Sequence, residues 1–204
     1  MNKFILAKKI EMSQIFDEAG KVHPVTWLLA GPVFVTQEKT KEKDGYIALQ
    51  VGFGEKKAKN INKAQKGHFK DLGNFAFVKE FKAEGVDLKR GDKIDVSVFK
   101  EGDRVLISGT GIGKGFQGVV KRHGFHGGPR THGQKHSERE AGTISGGTRG
   151  GGRVPKGLRM AGRMGGKRVS TENLKVIKVI PEQNLMAVEG AVPGHRGSLV
   201  EVRG

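Results

Sequence analysis

Residues 111–170 hold 18 of the chain's 33 glycines and 13 Lys or Arg against two acids, Glu138 and Glu140. No acid lies between Glu140 and Glu172. Large apolar residues are sparse and scattered here, from Ile112 and Phe116 to Met164 and Val169. Ordering so much glycine costs backbone entropy, and little burial is available to offset it. The segment is therefore expected to lack a core of its own. It reads as an arm, mobile alone and ordered on a polyanion. One helix is expected within it, over Phe116 to Arg122.

The flanks differ in kind. They carry the other 24 basic and 19 acidic residues of the 204-residue chain, whose net charge is +16. Short apolar runs recur along them: Phe4–Ala7, Val25–Ala30, Val33–Thr36, Tyr46–Val51 and Phe75–Val78. Ile94–Phe99 and Arg104–Ser108, separated by the turn signal Lys100-Glu-Gly-Asp103, read as a hairpin. Beyond the glycine-rich stretch come Leu174–Ile180, Leu185–Glu189 and Ser198–Val202. Strands this short at this spacing favour a barrel or a sandwich. Lys8–Phe16 reads as one or two helical turns, and Asn62–Leu72 as a short basic helix.

Several classes fall away. The chain has no Cys, hence no disulfide framework, thiolate metal site or cysteine nucleophile. Phe4–Ala7 is too short for a signal-peptide core, and Pro24–Val35 too short to span a bilayer. A soluble, intracellular protein is expected.

The glycine-rich segment contains tempting motifs. Gly113-Lys-Gly115-Phe-Gln-Gly118 spells a dinucleotide fingerprint, with Glu138 twenty residues on. No alternating βαβ pattern surrounds it. Its glycines, with Gly146, Gly151 and Gly165, read better as points where backbone N–H groups approach phosphate closely. His123, His126, His132 and His136 could be taken for a zinc site. Arg122, Arg130, Lys135 and Arg139 interleave them, and cations beside a dication are unfavourable. Base stacking or phosphate bonding suits these histidines better, with solvated loop residues as the plain alternative. No nucleophile, base and orienting carboxylate assemble, so no catalytic residue is assigned.

What remains is cationic. Lys114 and Lys121 open the segment, and Arg149, Arg153, Lys156, Arg159, Arg163, Lys167 and Arg168 close it, separated mostly by glycine. A solvated helical face would carry balancing acids, and this run has none. Phosphate neutralisation is the function such a run serves. With one Trp, one Tyr and 11 Phe in the chain, stacking platforms are poorly supplied, which favours backbone and shape recognition of folded RNA. An acidic membrane surface would call for an amphipathic helix that the segment lacks.

The runs Gly113–Phe125, Ala141-Gly-Thr-Ile144, Lys156–Gly165, Arg168–Leu174 and Gly190-Ala-Val-Pro-Gly194 resemble the universal large-subunit ribosomal protein three family in its compact bacterial form. The likeness covers nearly the whole chain. It implies a mainly β fold: a six-stranded β-barrel of the translation-protein type over 1–110 and 171–204. A small inserted α+β subdomain around 53–80 is implied, with a glycine-rich basic extension over 111–170. It also implies a structural role in the cytoplasmic ribosome. The extension would enter large-subunit ribosomal RNA towards the peptidyl transferase centre, and the protein would help nucleate assembly. Neighbouring ribosomal proteins would contact the barrel. No cofactor, metal, membrane or small-molecule substrate is implied. One departure stands out: many bacterial members carry a modified glutamine at the tip, where this chain reads Ser145–Gly152 without one. A non-ribosomal RNA chaperone and a nucleotide-dependent enzyme using the 113–118 glycines are the competing readings.

Overall fold

The structure is a computed structural model that describes residues 3–82, 85, 86, 88–144 and 153–204. It divides into two compact units, 1–111 with 168–204, and 112–167.

The first unit is mainly β. In chain order it contains β1 (Phe4–Phe16), β2 (Val22–Ala30), β3 (Val33–Lys39), α1 (Lys41–Asp44), β4 (Ala48–Glu55), α2 (Lys63–Phe69), β5 (Phe75–Phe81), β6 (Lys93–Ile94) and β7 (Arg104–Thr110). The second unit contributes β8 (Gly115–Gln117), α3 (Val119–His123) and β9 (Gly162–Met164). The chain returns to the first unit through β10 (Arg168–Ile180), β11 (Leu185–Glu189) and β12 (Leu199–Arg203). Six strands close into a barrel in the order β1-β12-β7-β10-β11-β2, all neighbours antiparallel. A closed ring leaves no unpaired edge. A separate sheet runs β5-β4-β3-β6.

The barrel and this sheet share one core. Phe4, Ile5, Leu6 and Ala7 are consecutive and all buried, so both faces of β1 are covered. Phe4 stacks on Phe81 of β5, with ring centroids 4.6 Å apart. Val33, Val35, Val51 and Phe53 from the sheet join Leu28, Ile107, Val200 and Val202 from the barrel. The sheet takes in Val33 to Ile94, beyond the insertion expected around 53–80. Val33–Thr36 and Tyr46–Val51 look like any other strands in sequence, and only pairing assigns them to a second sheet.

Two local expectations are corrected. Lys8–Phe16 is not helical: it continues β1 and pairs with β2 from Met12↔Thr26 to Phe16↔Val22, past a bulge between Lys9 and Met12. Cross-strand pairing outweighs the modest helical propensity of this stretch. The hairpin between Ile94–Phe99 and Arg104–Ser108 does not form either. Ile94 pairs with Val33 of β3, and beyond it Val96 and Phe99 are buried while Val98 is exposed, a spacing of three, with Val96–Val98 a 3₁₀ turn. The β7 strand pairs instead with β10 and β12, which lie far along the chain.

At the β1–β2 turn, His23 faces two carboxylates. Its Nδ1 lies 3.0 Å from Glu189 and its Nε2 3.3 Å from Asp17. Both nitrogens must carry protons to serve both acceptors. The bond to Glu189, then that to Asp17, raises the imidazole above its ordinary 6.5. The tie is at full strength below the unfolded value and is lost as pH rises through the folded one. A ring titration by NMR is expected to place His23 above 6.5, and His23→Gln to abolish the fall in urea midpoint as pH rises above 6.5. Titration of the ring below 6.5 would contradict this arrangement.

Candidate nucleic-acid interface

The second unit begins where β7 ends and finishes where β10 begins. Thr110 pairs with Arg168, so the chain leaves and rejoins the barrel at adjacent positions. The expected boundary at 170 moves accordingly, because Arg168, Val169 and Ser170 already belong to the β7–β10 ladder.

Within the unit, β8 and β9 form an antiparallel ribbon, with Phe116 opposite Arg163. The fingerprint-like glycines Gly113, Gly115 and Gly118 lie along this ribbon and at the cap of α3, not between a parallel strand and a long helix. The helix expected over Phe116–Arg122 is shifted to Val119–His123, since Phe116 and Gln117 pair with β9. It ends at Gly124, whose φ of 73° permits the left-handed cap. Arg122 Nη1 donates to the Met160 carbonyl at 2.6 Å, and His123 Nε2 lies 3.1 Å from the same oxygen. These contacts hold the outgoing and returning strands of the segment together.

Gly165 has an internal reason to be glycine. Its φ is +71°, and a Cβ would strike the Ile112 carbonyl. A Cβ on Gly127 would likewise strike the Glu138 carbonyl. Backbone therefore meets backbone of the same unit at these positions. Gly113 and Gly115 have open space instead. Gly146, Gly151 and Arg149 lie outside the described residues.

Burial is slight. Val119 is the one buried large apolar side chain among the unit's described residues, and Phe116 is 77% exposed. Lys114, Lys121, Lys135, Arg139, Arg153, Lys156, Arg159, Arg163 and Lys167 are all exposed. None has a carboxylate within 4.0 Å among the described residues. Arg130 pairs with Glu138 at 2.6 Å on the surface, where such pairs contribute little. His126, His132 and His136 are exposed, and His123 is half-buried. No three His, Asp or Glu side chains among the described residues group as metal ligands would.

Arg168 is placed differently from the rest. It belongs to the barrel and donates to both carboxylate oxygens of Glu201, at 2.9 and 2.6 Å. Burial alone would raise the Glu201 carboxyl. The two Arg168 bonds, with the charges of Arg168, Lys79 and Arg203, outweigh burial and hold it below its ordinary range. Arg168 is thus neutralised within the protein.

A rigid concave site with a nucleophile and a base is what an enzyme needs. This unit offers open, unneutralised guanidinium and ammonium groups on a glycine-rich backbone. Among the described residues no helix is long and apolar enough to cross a membrane. Comparison with known proteins identifies the family. The model of the family described as ribosomal protein L3 matches residues 55–184. A large ribosomal subunit protein uL3 of Herpetosiphon aurantiacus is 48% identical over 97% of this chain and 94% of its own length. The uL3 of Chlorobaculum tepidum is 46% identical over 97% and 96% of the two chains. That of Carboxydothermus hydrogenoformans is 45% identical over 100% and 97%. Matches of this extent, spanning barrel strands and basic segment alike, establish that the chain belongs to the ribosomal protein L3 family.

Proposed function

We propose that this protein is a structural constituent of the large ribosomal subunit. It binds large-subunit ribosomal RNA through the 112–167 arm, which extends towards the peptidyl transferase centre, and it helps nucleate subunit assembly. Its barrel is of the translation-protein type and offers surfaces to neighbouring ribosomal proteins. The observation that carries the reading is the set of nine exposed cations without a carboxylate within 4.0 Å among the described residues. Such charges repel one another in the free protein and are stabilised when phosphates replace their counterions. The arm's histidines and Arg130 supply further donors, while Arg168 fixes the strand at its base.

The purified protein is expected to bind large-subunit RNA with a log–log salt slope to which the arm alone contributes roughly −4 to −6, if about half the arm's cations meet phosphates. It should remain with large subunits sedimented in high salt, where a transient assembly chaperone would dissociate. A salt-independent affinity, or complete loss from salt-washed subunits, would overturn the proposal.

A further inference from the structure

Outside residues 111–170 the chain carries a surplus of five positive charges, and four of them fall within residues 55–72. That segment holds Lys56, Lys57, Lys59, Lys63, Lys66 and Lys70 against Glu55 and Asp71. All but the half-buried Lys56 are exposed. None of the six has a carboxylate within 4.0 Å among the described residues. The concentration is legible in the sequence, but only the fold shows that it is held in place.

The holding is specific. The seven-residue α2 is too short to persist alone in water. Asn62 caps its start, accepting the Gln65 N–H at 2.7 Å. Phe69 is 2% exposed and packs edge-on against Phe75 of β5, with centroids 5.4 Å apart, and Ile61 is buried beside the helix start. Arg90 donates to the Phe69 carbonyl at 2.9 Å and to the Thr36 carbonyl at 3.0 Å, tying the helix end to β3. His68 Nε2 lies 2.5 Å from Gln50 Oε1 on β4. The sheet thus fixes a short lobe whose outward side chains are lysines and amides.

We propose that the 55–72 lobe is a second RNA-contact surface, in which Lys57, Lys59, Lys63, Lys66 and Lys70 neutralise phosphates of the large-subunit RNA independently of the arm. It rests on the reading of the protein as an RNA-binding ribosomal constituent. Lysine suits phosphate as a point charge and reads no base, so the lobe positions the sheet on RNA without adding sequence specificity. A lipid surface would require exposed apolar residues for insertion, and of the lobe's large apolar side chains Ile61 and Phe69 are buried and Leu72 is half-buried. A protein partner would require an apolar centre, which the lobe also lacks.

The test uses the full chain and large-subunit RNA. Lys63→Gln/Lys66→Gln/Lys70→Gln is compared with the arm variant Arg153→Gln/Lys156→Gln/Arg159→Gln/Arg163→Gln and with the combination, each matched to wild type in urea midpoint. Each phosphate contact removed should flatten the salt slope by about one, so the lobe variant should lose about two to three units, adding to the arm's loss. Because the chain has no Cys, Lys66→Cys gives a unique tether for iron–EDTA. Radical cleavage from it should cut the RNA at discrete positions, apart from those cut from Lys156→Cys. If the arm variant loses slope and the lobe variant keeps it, this inference fails while the ribosomal reading stands. If neither changes, both fail. Weakened binding to phosphatidylserine vesicles with unchanged RNA affinity would assign the lobe to a membrane surface and overturn the inference.

Discussion

Replacing Arg153, Lys156, Arg159 and Arg163 together by Gln is expected to lower affinity for large-subunit RNA by about 10²–10³-fold near 150 mM salt. It should also flatten the salt slope by about three to four units. The size follows from counterion release. Each neutralised phosphate contributes a slope of roughly 0.7 to 0.9, or somewhat over half a decade of affinity at that salt. Four contacts multiply to between two and three decades. The protein's own acids do not compete for these side chains, since none of the four has a carboxylate within 4.0 Å among the described residues. The barrel should be untouched, because all four side chains are exposed and contribute nothing to its core. Filter binding across a salt series reads both effects. A drop of less than about fivefold with an unchanged slope would show that the segment does not meet phosphates. A drop that comes with a lower urea midpoint would mean that the cations support the fold instead.

The largest effect on stability is expected at Ile107. It is fully buried in the middle of β7, opposite Thr171 on β10 and Val202 on β12. Ile107→Ala removes most of a side chain from the centre of a closed ring whose strands cannot move inward independently. The lost transfer energy and the residual cavity together cost about 2–5 kcal/mol. That is a large share of the ~5–15 kcal/mol by which a domain is stable. Ile107→Val removes one methylene and should cost about 0.5–1.5 kcal/mol. Urea unfolding of both variants checks the ratio. Near-equal small costs would mean that the site collapses around the loss and that β7 is not central to cooperativity. Where both variants remain folded, the RNA salt slope should match wild type, because Ile107 bears no charge and is buried.

The order of the barrel strands shows where sequence reasoning stops. Val105 and Ile107 announce a strand in sequence, but not that β7 takes Leu174 and Val202 segments as neighbours in preference to Ile94–Phe99. Both candidates alternate. Burial of Val96 with Phe99, three residues apart, is decided by the common core that both join, which no local window contains. The same holds for Lys8–Phe16, whose partner strand begins six residues after it ends. Gly165 also changes meaning: its composition suggests approach to RNA, and the structure supplies the Ile112 carbonyl as a nearer cause.

Charge and glycine content are properties of the chain before it folds. They were enough to separate the basic segment from its flanks, to exclude thiolate chemistry and to point to a phosphate-rich partner. Whether a given cation is free to meet that partner depends on which carboxylates folding brings near it. Arg168 and Arg163 are indistinguishable as letters in one run. Pairing of β10 with β7 and of β7 with β12 sets Glu201 against Arg168 and leaves Arg163 with no described carboxylate nearby. The tertiary structure decided that difference, because ion pairs form across strands from distant parts of the sequence, over distances of a few ångströms that chain position does not encode.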